Sequence, residues 1–298
     1  MKILLLGCTG QLGWELQRAL APLGELIALD VHSQAPLTAD FCRPEALAAT
    51  VRAVAPQLIV NAAAHTAVDQ AQQEPGLART INAASPAVLA REAAASGAWL
   101  VHYSSDYVFD GSGTAPRDEQ AATGPLNVHG QTKLEGEQAI RASGCRHLIL
   151  RTSWLYASRG ENFVRTMLRK AATCDRLEVV VDQIGAPTGA DLLADLTAHV
   201  ARRAQVETAL SGTYHACAAG EISWHGYAQH VIEFARTHGL ALRLSADGLI
   251  PVLSSAFVAA ARRPLNSRLD TRKLRHDFDL HLPHWQAGVD RMLREVLP

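Results

Sequence analysis

Lys2-Ile3-Leu4-Leu5-Leu6-Gly7-Cys8-Thr9-Gly10-Gln11-Leu12-Gly13 opens this chain of 298 residues. An apolar run of strand length passes directly into three glycines and then into a helical pattern. Glycines at a strand-to-helix turn allow a tight bend, close approach of backbone N–H groups to a pyrophosphate, and close packing of helix on sheet. The spacing is GxxGxxG. Its place between a first strand and a first helix reads as a dinucleotide site formed by Gly7, Gly10, Gln11, Leu12 and Gly13. The bland alternative is an ordinary β–α turn. The apolar run itself is too short for a signal peptide or a membrane span.

Outward from that turn, short apolar runs alternate with longer helical patterns, which predicts a parallel sheet with crossover helices. Expected strands are Lys2–Leu6, Glu25–Leu29, Leu58–Asn61, Trp99–Ser104 and Cys145–Arg151, with Glu178–Val181 as a sixth. They read as continuous apolar runs because helices cover both faces of such a sheet. Helices fit at Gln11–Leu20, Pro44–Val54, Pro86–Ala95 with Ser85 as N-cap, and Thr132–Ala142. The fold class is α/β: a doubly wound, Rossmann-like parallel sheet with a smaller C-terminal substrate lobe. Residues 1–151 form the dinucleotide-binding domain and 152–298 mainly the substrate lobe, with a helix near 191–204 returning to the core. Further helices are expected near Asn162–Ala172, Leu192–Ala204, Trp224–His238 and Trp285–Val296.

Composition narrows the function. Lys+Arg 28 against Asp+Glu 29 gives a net charge of −1, so neither nucleic acid nor an anionic membrane is an expected partner. Five separated cysteines without a CxxC pair suggest neither a disulfide framework nor a thiolate zinc site, and fit free thiols in a reducing cytoplasm. Lysine occurs only at Lys2, Lys133, Lys170 and Lys273, which makes a lysine at a motif position informative.

Several strand ends carry chemistry. Asp30 closes the second strand, where a carboxylate accepts from an adenosine ribose hydroxyl and favours NADH over NADPH. His32 and Ser33 follow it and can soften that choice by accommodating a 2′-phosphate. Asp40 and Phe41 suit an adenine, one by hydrogen bonding and one by packing. Ala62, Ala63 and Ala64 are small, as a backbone lying along a cofactor requires. The fourth strand ends in Ser104-Ser105-Asp106-Tyr107-Val108-Phe109, and the next helix carries His129-Gly130-Gln131-Thr132-Lys133.

A strand-end hydroxyl followed by a helical x-x-x-Lys resembles the extended short-chain dehydrogenase/reductase family, whose active site is Ser/Thr…Tyr-x-x-x-Lys. Asn61–Asp69, Tyr103–Phe109, Gly130–Glu137, Arg151–Tyr156, Asp182–Thr188, Ala261–Pro264 and Pro283–Trp285 extend the likeness over essentially the whole chain. Together they resemble the dTDP-4-dehydrorhamnose reductase family. The resemblance implies reduction of the 4-keto group of dTDP-4-dehydro-β-L-rhamnose to dTDP-L-rhamnose, with NADPH or NADH as cofactor, for a cell-surface polysaccharide.

It also implies roles. Lys133 binds the nicotinamide ribose and lowers the pKa of the acid. Ser105, where threonine is usual, hydrogen-bonds the substrate carbonyl. Asp106 and Trp154 contact the sugar, Thr66 and Val68 line its pocket, and Arg262-Arg263 meet the diphosphate. For Trp154 the alternative is a core aromatic, and for the arginines a solvated pair. A homodimer is implied as well, with Mg²⁺ held structurally by Glu15, Asp191 (Glu is usual) and Glu295 near the interface.

His129 departs from the pattern, because it stands where the family has the proton-donating tyrosine. An imidazole begins near pKa 6.5 rather than 10, and the Lys133 ammonium pushes it further toward the neutral form. It is also shorter than tyrosine by on the order of 2 Å. Hydride transfer slowed by about 10²–10⁴ is the expectation. Three readings stand: a natural variant using water or His129 as acid, an introduced substitution, or a cofactor-binding relative of little activity. Tyr103 or Tyr107 as acid is a weaker reading, since neither has the helical position relative to Lys133. Other open alternatives are another nucleotide-sugar enzyme of this kind and a non-catalytic NAD(P)-binding regulatory subunit. A sister dehydratase would need a Glu after Asp106, where Tyr107 stands.

Overall fold

The computed structural model describes residues 1–34, 37–257 and 259–297. Of the expected domain spans only Ala35, Pro36, Val258 and Pro298 lie outside the described residues. The first half runs β1 (Lys2–Leu6), α1 (Gln11–Leu20), β2 (Glu25–Leu29), α2 (Pro44–Val54), β3 (Leu58–Asn61), α3 (Val68–Gln73), α4 (Pro75–Arg79), α5 (Ser85–Ser96), β4 (Trp99–Ser105), α6 (Val128–Ala142) and β5 (Arg146–Thr152). The second half runs β6 (Leu155–Tyr156), α7 (Phe163–Thr173), β7 (Leu177–Val180), β8 (Ile184–Gly185), β9 (Thr188–Gly189), α8 (Ala190–Val206), β10 (Gly212–His215), β11 (Ile222–Ser223), α9 (Trp224–Thr237), β12 (Leu249–Val252), α10 (Arg272–Phe278) and α11 (Trp285–Val296).

Six of these strands form one parallel sheet in the order β2-β1-β3-β4-β5-β10. Alternate residues of each strand point to opposite faces, so two cores form. Ile3 and Leu5 face Leu16, Leu193 and Val200 on α1 and α8; Leu4 and Leu6 face Leu47, Val51 and Leu89 on α2 and α5. The strand order reverses between β1 and β3, and ligands bind beyond the carboxyl ends at such a point. A third cluster, including Val164, Met167, Tyr227, Val231 and Trp285, joins α7, α9 and α11 in the C-terminal half.

Three expectations need correction. Leu177–Val180 is a strand but not the sixth of the main sheet, because it pairs with β12 in a separate two-stranded sheet. The sixth position belongs to Gly212–His215, an edge strand whose Gly-Thr-Tyr-His sequence lacks an apolar run. Ser85 does not cap α5: a π-helical turn at Thr80–Ala84 runs straight into the helix, and the Ser85 hydroxyl donates to the Phe41 carbonyl at 2.7 Å. Finally, α6 begins four residues before the expected Thr132, with Asn127 as its cap through a 2.9 Å bond from the Gly130 N–H. His129 therefore lies inside the first turn of the helix.

Helix α6 seats against the sheet by burying charge. Glu137, fully buried, accepts two bonds of 2.8 and 2.7 Å from the Arg151 guanidinium on β5, and Arg141 adds a third at 2.9 Å. Burial alone would raise the Glu137 carboxyl, but Arg151 outweighs it and holds the group ionised. One residue earlier, Gly136 lets the helix approach the Asn82 carbonyl so closely that any Cβ would overlap it. Among the described residues no helix is long and apolar enough to cross a membrane. Glu137→Gln leaves the Arg151 charge buried without its counter-ion. It should cost about 3–5 kcal/mol, read as a lower urea midpoint; an unchanged midpoint would contradict this role for the pair.

Candidate active site

The turn between β1 and α1 opens onto a cavity of about 700 Å³ at the strand-order reversal. Gly7 adopts φ +84°, a left-handed conformation that glycine tolerates without strain. Gly10 caps α1 with no side-chain bond, so the first N–H groups of the helix remain free to meet a ligand oxygen. Gly13 does not line the cavity; it packs so close to the Gly7 carbonyl that a Cβ would overlap it. Its glycine serves the packing of helix on turn.

The other expected cofactor- and substrate-binding residues, apart from Arg262 and Arg263, line this one cavity. Gly7, Gly10, Gln11, Leu12, Asp30, Asp40 and Phe41 form its β1–β2 end, and Ala62, Ala63 and Ala64 follow β3. Thr66, Val68, Ser105, Asp106, His129, Lys133 and Trp154 complete the opposite end. Asp30 is half-spent on its own turn, accepting from the His32 N–H at 2.8 Å and the Ser33 hydroxyl at 3.4 Å. Burial raises its carboxyl, but bonds from Thr9, His32 and Ser33 prevail and leave it anionic. His32 and Ser33 thus serve Asp30. Asp40 likewise accepts from the Cys42 N–H at 2.9 Å.

At the reacting end, Lys133 is buried and its ammonium donates to the Tyr103 carbonyl on β4. Burial pushes this ammonium down while Glu137, one turn along α6, pulls it back, leaving it at about 8. Ser105 terminates β4, its hydroxyl accepting from the Tyr107 N–H at 3.1 Å and donating to Asp106 Oδ1 at 3.0 Å. Asp106 is buried, and its Oδ2 has no hydrogen-bond partner. Burial raises the carboxyl to about 6 against the pull of the Ser267 and Ser105 hydroxyls.

His129 lines the same cavity one helical turn before Lys133. Its Nδ1 lies 3.0 Å from the His65 carbonyl oxygen. A carbonyl can only accept, so Nδ1 carries the hydrogen and Nε2 is left with a lone pair. Burial first, and then the Lys133 charge, lower the imidazole to about 4. At neutral pH it is an uncharged acceptor at the position where a donor is expected. The two tyrosines do not replace it: Tyr103 bonds Thr197 of α8 at 2.7 Å, and burial raises the Tyr107 phenol beside Asp106 and Arg263.

Sequence reasoning missed Trp224. Its ring stacks on Trp154 at 3.7 Å and 12°, and lines both this cavity and an adjoining cleft of about 1000 Å³. The signal was present, since Ser223 caps the helix that Trp224 opens, but an aromatic at a helix start also reads as core. Trp154 itself has φ +49°, a strained backbone for a bulky residue. Arg262 and Arg263 line the second cleft, where Arg263 is held by Asp69 through bonds of 2.8 and 2.6 Å.

The structure brings Glu15, Asp191 and Glu295 to one small cleft, but not into a metal-holding group. Arg291 lies 3.4 Å from Asp191 and 3.3 Å from Glu295, and Arg18 lies 3.5 Å from Glu15. Each of these carboxylates thus faces a guanidinium, with Arg291 shared by two of them and Arg18 also bound to Asp195 at 2.9 Å. Among the described residues no group of three His, Cys, Asp or Glu side chains could hold a metal ion.

With this geometry in view, comparison with known proteins is decisive about ancestry. The family model described as RmlD substrate binding domain matches residues 1–297. The dTDP-4-dehydrorhamnose reductase of Salmonella typhimurium is 53% identical over 296 residues, covering 99% of this chain and 98% of that protein. The reductase of the same name from Escherichia coli K12 is 54% identical over the same coverage. The crystal structure of dTDP-4-dehydrorhamnose reductase from Bacillus anthracis, in complex with NADP, is 34% identical and superposes with a TM-score of 0.87, covering 99% of this chain and 100% of that one. A strand-order reversal with a glycine turn, a half-buried Ser105 and a buried Lys133 lining one cavity, and likeness over residues 1–297 lead to one conclusion: the chain belongs to the dTDP-4-dehydrorhamnose reductase family.

Proposed function

We propose that this chain reduces the 4-keto group of dTDP-4-dehydro-β-L-rhamnose to give dTDP-L-rhamnose, using NADPH or NADH. The observation that carries the reading is the single cavity. It runs from the free N–H groups behind Gly10 to the Ser105 hydroxyl and the Lys133 ammonium. When bound there, a reduced nicotinamide supplies the hydride to the substrate carbonyl carbon. Residues 1–151 chiefly hold the dinucleotide and the later residues the sugar nucleotide, with α8 returning to the main sheet. A homodimer in the cytoplasm completes the reading, in keeping with five free cysteines.

The residues of this chain then act as follows. The N–H groups of Gln11 and Leu12 receive the pyrophosphate, and anionic Asp30 accepts from the adenosine ribose. Ala62, Ala63 and Ala64 let the cofactor lie against backbone. Lys133 binds the nicotinamide ribose and keeps a positive charge beneath the reacting oxygen. Ser105 donates a hydrogen bond to that oxygen, where negative charge develops during reduction. Asp106, Thr66, Val68 and Trp154, with Trp224 behind it, position the sugar. Positions 105 and 133 thus keep the electrostatic half of catalysis, and His129 lacks the proton-donating half.

A second reading has one observation in its favour. A neutral, acceptor-only imidazole at the acid position suits a subunit that binds the nucleotide and regulates a partner without turnover. NAD(P)H oxidation with the keto sugar separates the two: the reductase reading expects measurable native turnover, and the regulatory reading expects binding alone.

His129→Tyr should raise the reductase rate at least about tenfold, because general acid catalysis contributes on the order of 10²–10⁴. A high native rate that tyrosine leaves unchanged would refute the role given to residue 129. Asp30→Asn removes an anion from the ribose end of the cavity. The NADPH-to-NADH ratio of kcat/KM should rise by about tenfold, the equivalent of roughly 1.4 kcal/mol; an unchanged ratio would mean that Asp30 does not meet the ribose.

A further inference from the structure

Reduction of a ketone ends only when the new alkoxide oxygen gains a proton, and this cavity lacks its expected source. His129 turns its single N–H toward the His65 carbonyl and offers a lone pair. The Lys133 ammonium spends one hydrogen on the Tyr103 carbonyl. Beside the reacting position stands another exchangeable group. Ser105 and Asp106 both line the cavity and share a hydrogen bond of 3.0 Å.

The direction of that bond depends on Asp106. While the carboxyl is ionised, it can only accept, and the Ser105 hydrogen points at it and away from the substrate. Once the carboxyl is protonated, it donates to Ser105 Oγ, and the serine hydrogen is free to face the substrate oxygen. We propose that Asp106, as a carboxylic acid, is the proton source of this chain and passes its proton to Ser105 as Ser105 passes its own to the substrate oxygen. This rests on the reductase reading above.

The surroundings of Asp106 favour the acid form. It is buried, and its Oδ2 has no partner, so the ionised state loses water without gaining a cation. The titratable groups that face it are Tyr107, next along the chain, and Cys217, on the segment after β10. Burial raises both, Cys217 to about 12, so neither is charged at neutral pH and neither supplies a cation. Ser267 is the remaining polar neighbour, a hydroxyl. These conditions leave the carboxyl titrating at about 6, where a carboxylic acid is a competent donor.

The step balances. A proton and two electrons arrive at the carbonyl carbon together as hydride, and the C=O π pair moves to oxygen. That oxygen takes the Ser105 proton, Ser105 takes the Asp106 proton, and Asp106 is left as a carboxylate. Water restores its proton between turnovers. At pH 7 only about a tenth of a group titrating at 6 is in the acid form, so the relay works in a minority of molecules. A tyrosine at residue 129 would bypass it.

Two experiments on the full-length chain test this. Infrared difference titration of the ligand-free protein, native minus Asp106→Asn, should give a protonated-carboxyl band with a midpoint near 6. Keto-sugar reduction should be followed against pH for the native chain, Asp106→Asn, His129→Tyr and the double variant. Native kcat/KM should fall about tenfold per pH unit above 6. Asp106→Asn should lower it at least about 100-fold at pH 6, yet cost His129→Tyr less than about tenfold. A carboxyl midpoint below about 4.5 overturns the proposal. Equal losses in both backgrounds overturn it too, since Asp106 would then be a sugar contact only. So does a native rate flat across pH 5–8, which points to Lys133 or water as donor. If neither the native chain nor His129→Tyr oxidises NAD(P)H with the keto sugar, the reductase reading itself fails, and the relay with it, whatever the infrared midpoint.

Discussion

A buried ammonium organises this molecule. Lys133 sits in the interior of an α/β domain, where an isolated cation is costly, and three features make it tolerable. The Tyr103 carbonyl accepts from it, Glu137 lies one turn along the same helix, and Arg151 ties Glu137 to the sheet. The helix can take up that position because Gly136 lets it lie against the Asn82 carbonyl. Sequence, packing and electrostatics thus converge on a positive charge held beneath the carboxyl ends of β4 and β5. On the proposed reading, its loss would leave only the Ser105 hydroxyl to stabilise charge at a reacting oxygen.

The same charge disables the residue beside it. For a tyrosine, a nearby ammonium lowers a pKa that begins too high and leaves a proton ready to give. For a histidine it lowers one that begins near neutrality, and burial lowers it further. His129 is then uncharged, and the His65 carbonyl claims its only hydrogen. On the proposed reading, His129 is an acceptor at the position where the family resemblance implies a donor. Asp106, only a peptide away from Ser105, responds to burial in the opposite sense, because desolvation favours the neutral form of an acid. Burial leads both shifts, and on the proposed relay Asp106 fills the acid's role that His129 does not.

Much of this was legible in the sequence. The glycine turn, the first five strands and the Ser105…Lys133 spacing follow from periodicity and motif, since local rules govern them. What escaped had tertiary causes. Gly212–His215 joins the sheet as an edge strand with few apolar residues, so no hydrophobic run announces it. Leu177–Val180 has the run but finds its partner in β12. Ser85 has the identity of a cap, yet its hydroxyl is used on Phe41 because a π-helical turn precedes it. Trp224 joins the cavity only because the chain folds α9 beneath Trp154. Glu15, Asp191 and Glu295 do meet, but Arg18 and Arg291, which no acidic pattern reveals, meet them too.

The central claim concerns the protonation of one ring, and it can be read directly. Nitrogen-15 NMR of the His129 imidazole in the ligand-free protein, between pH 5 and pH 8, reports both the charge and the tautomer. The account predicts a neutral ring throughout, with hydrogen on Nδ1 and none on Nε2, and titration only toward about 4. An imidazolium at pH 6 or above, or a hydrogen on Nε2, would make His129 a donor after all and contradict the account.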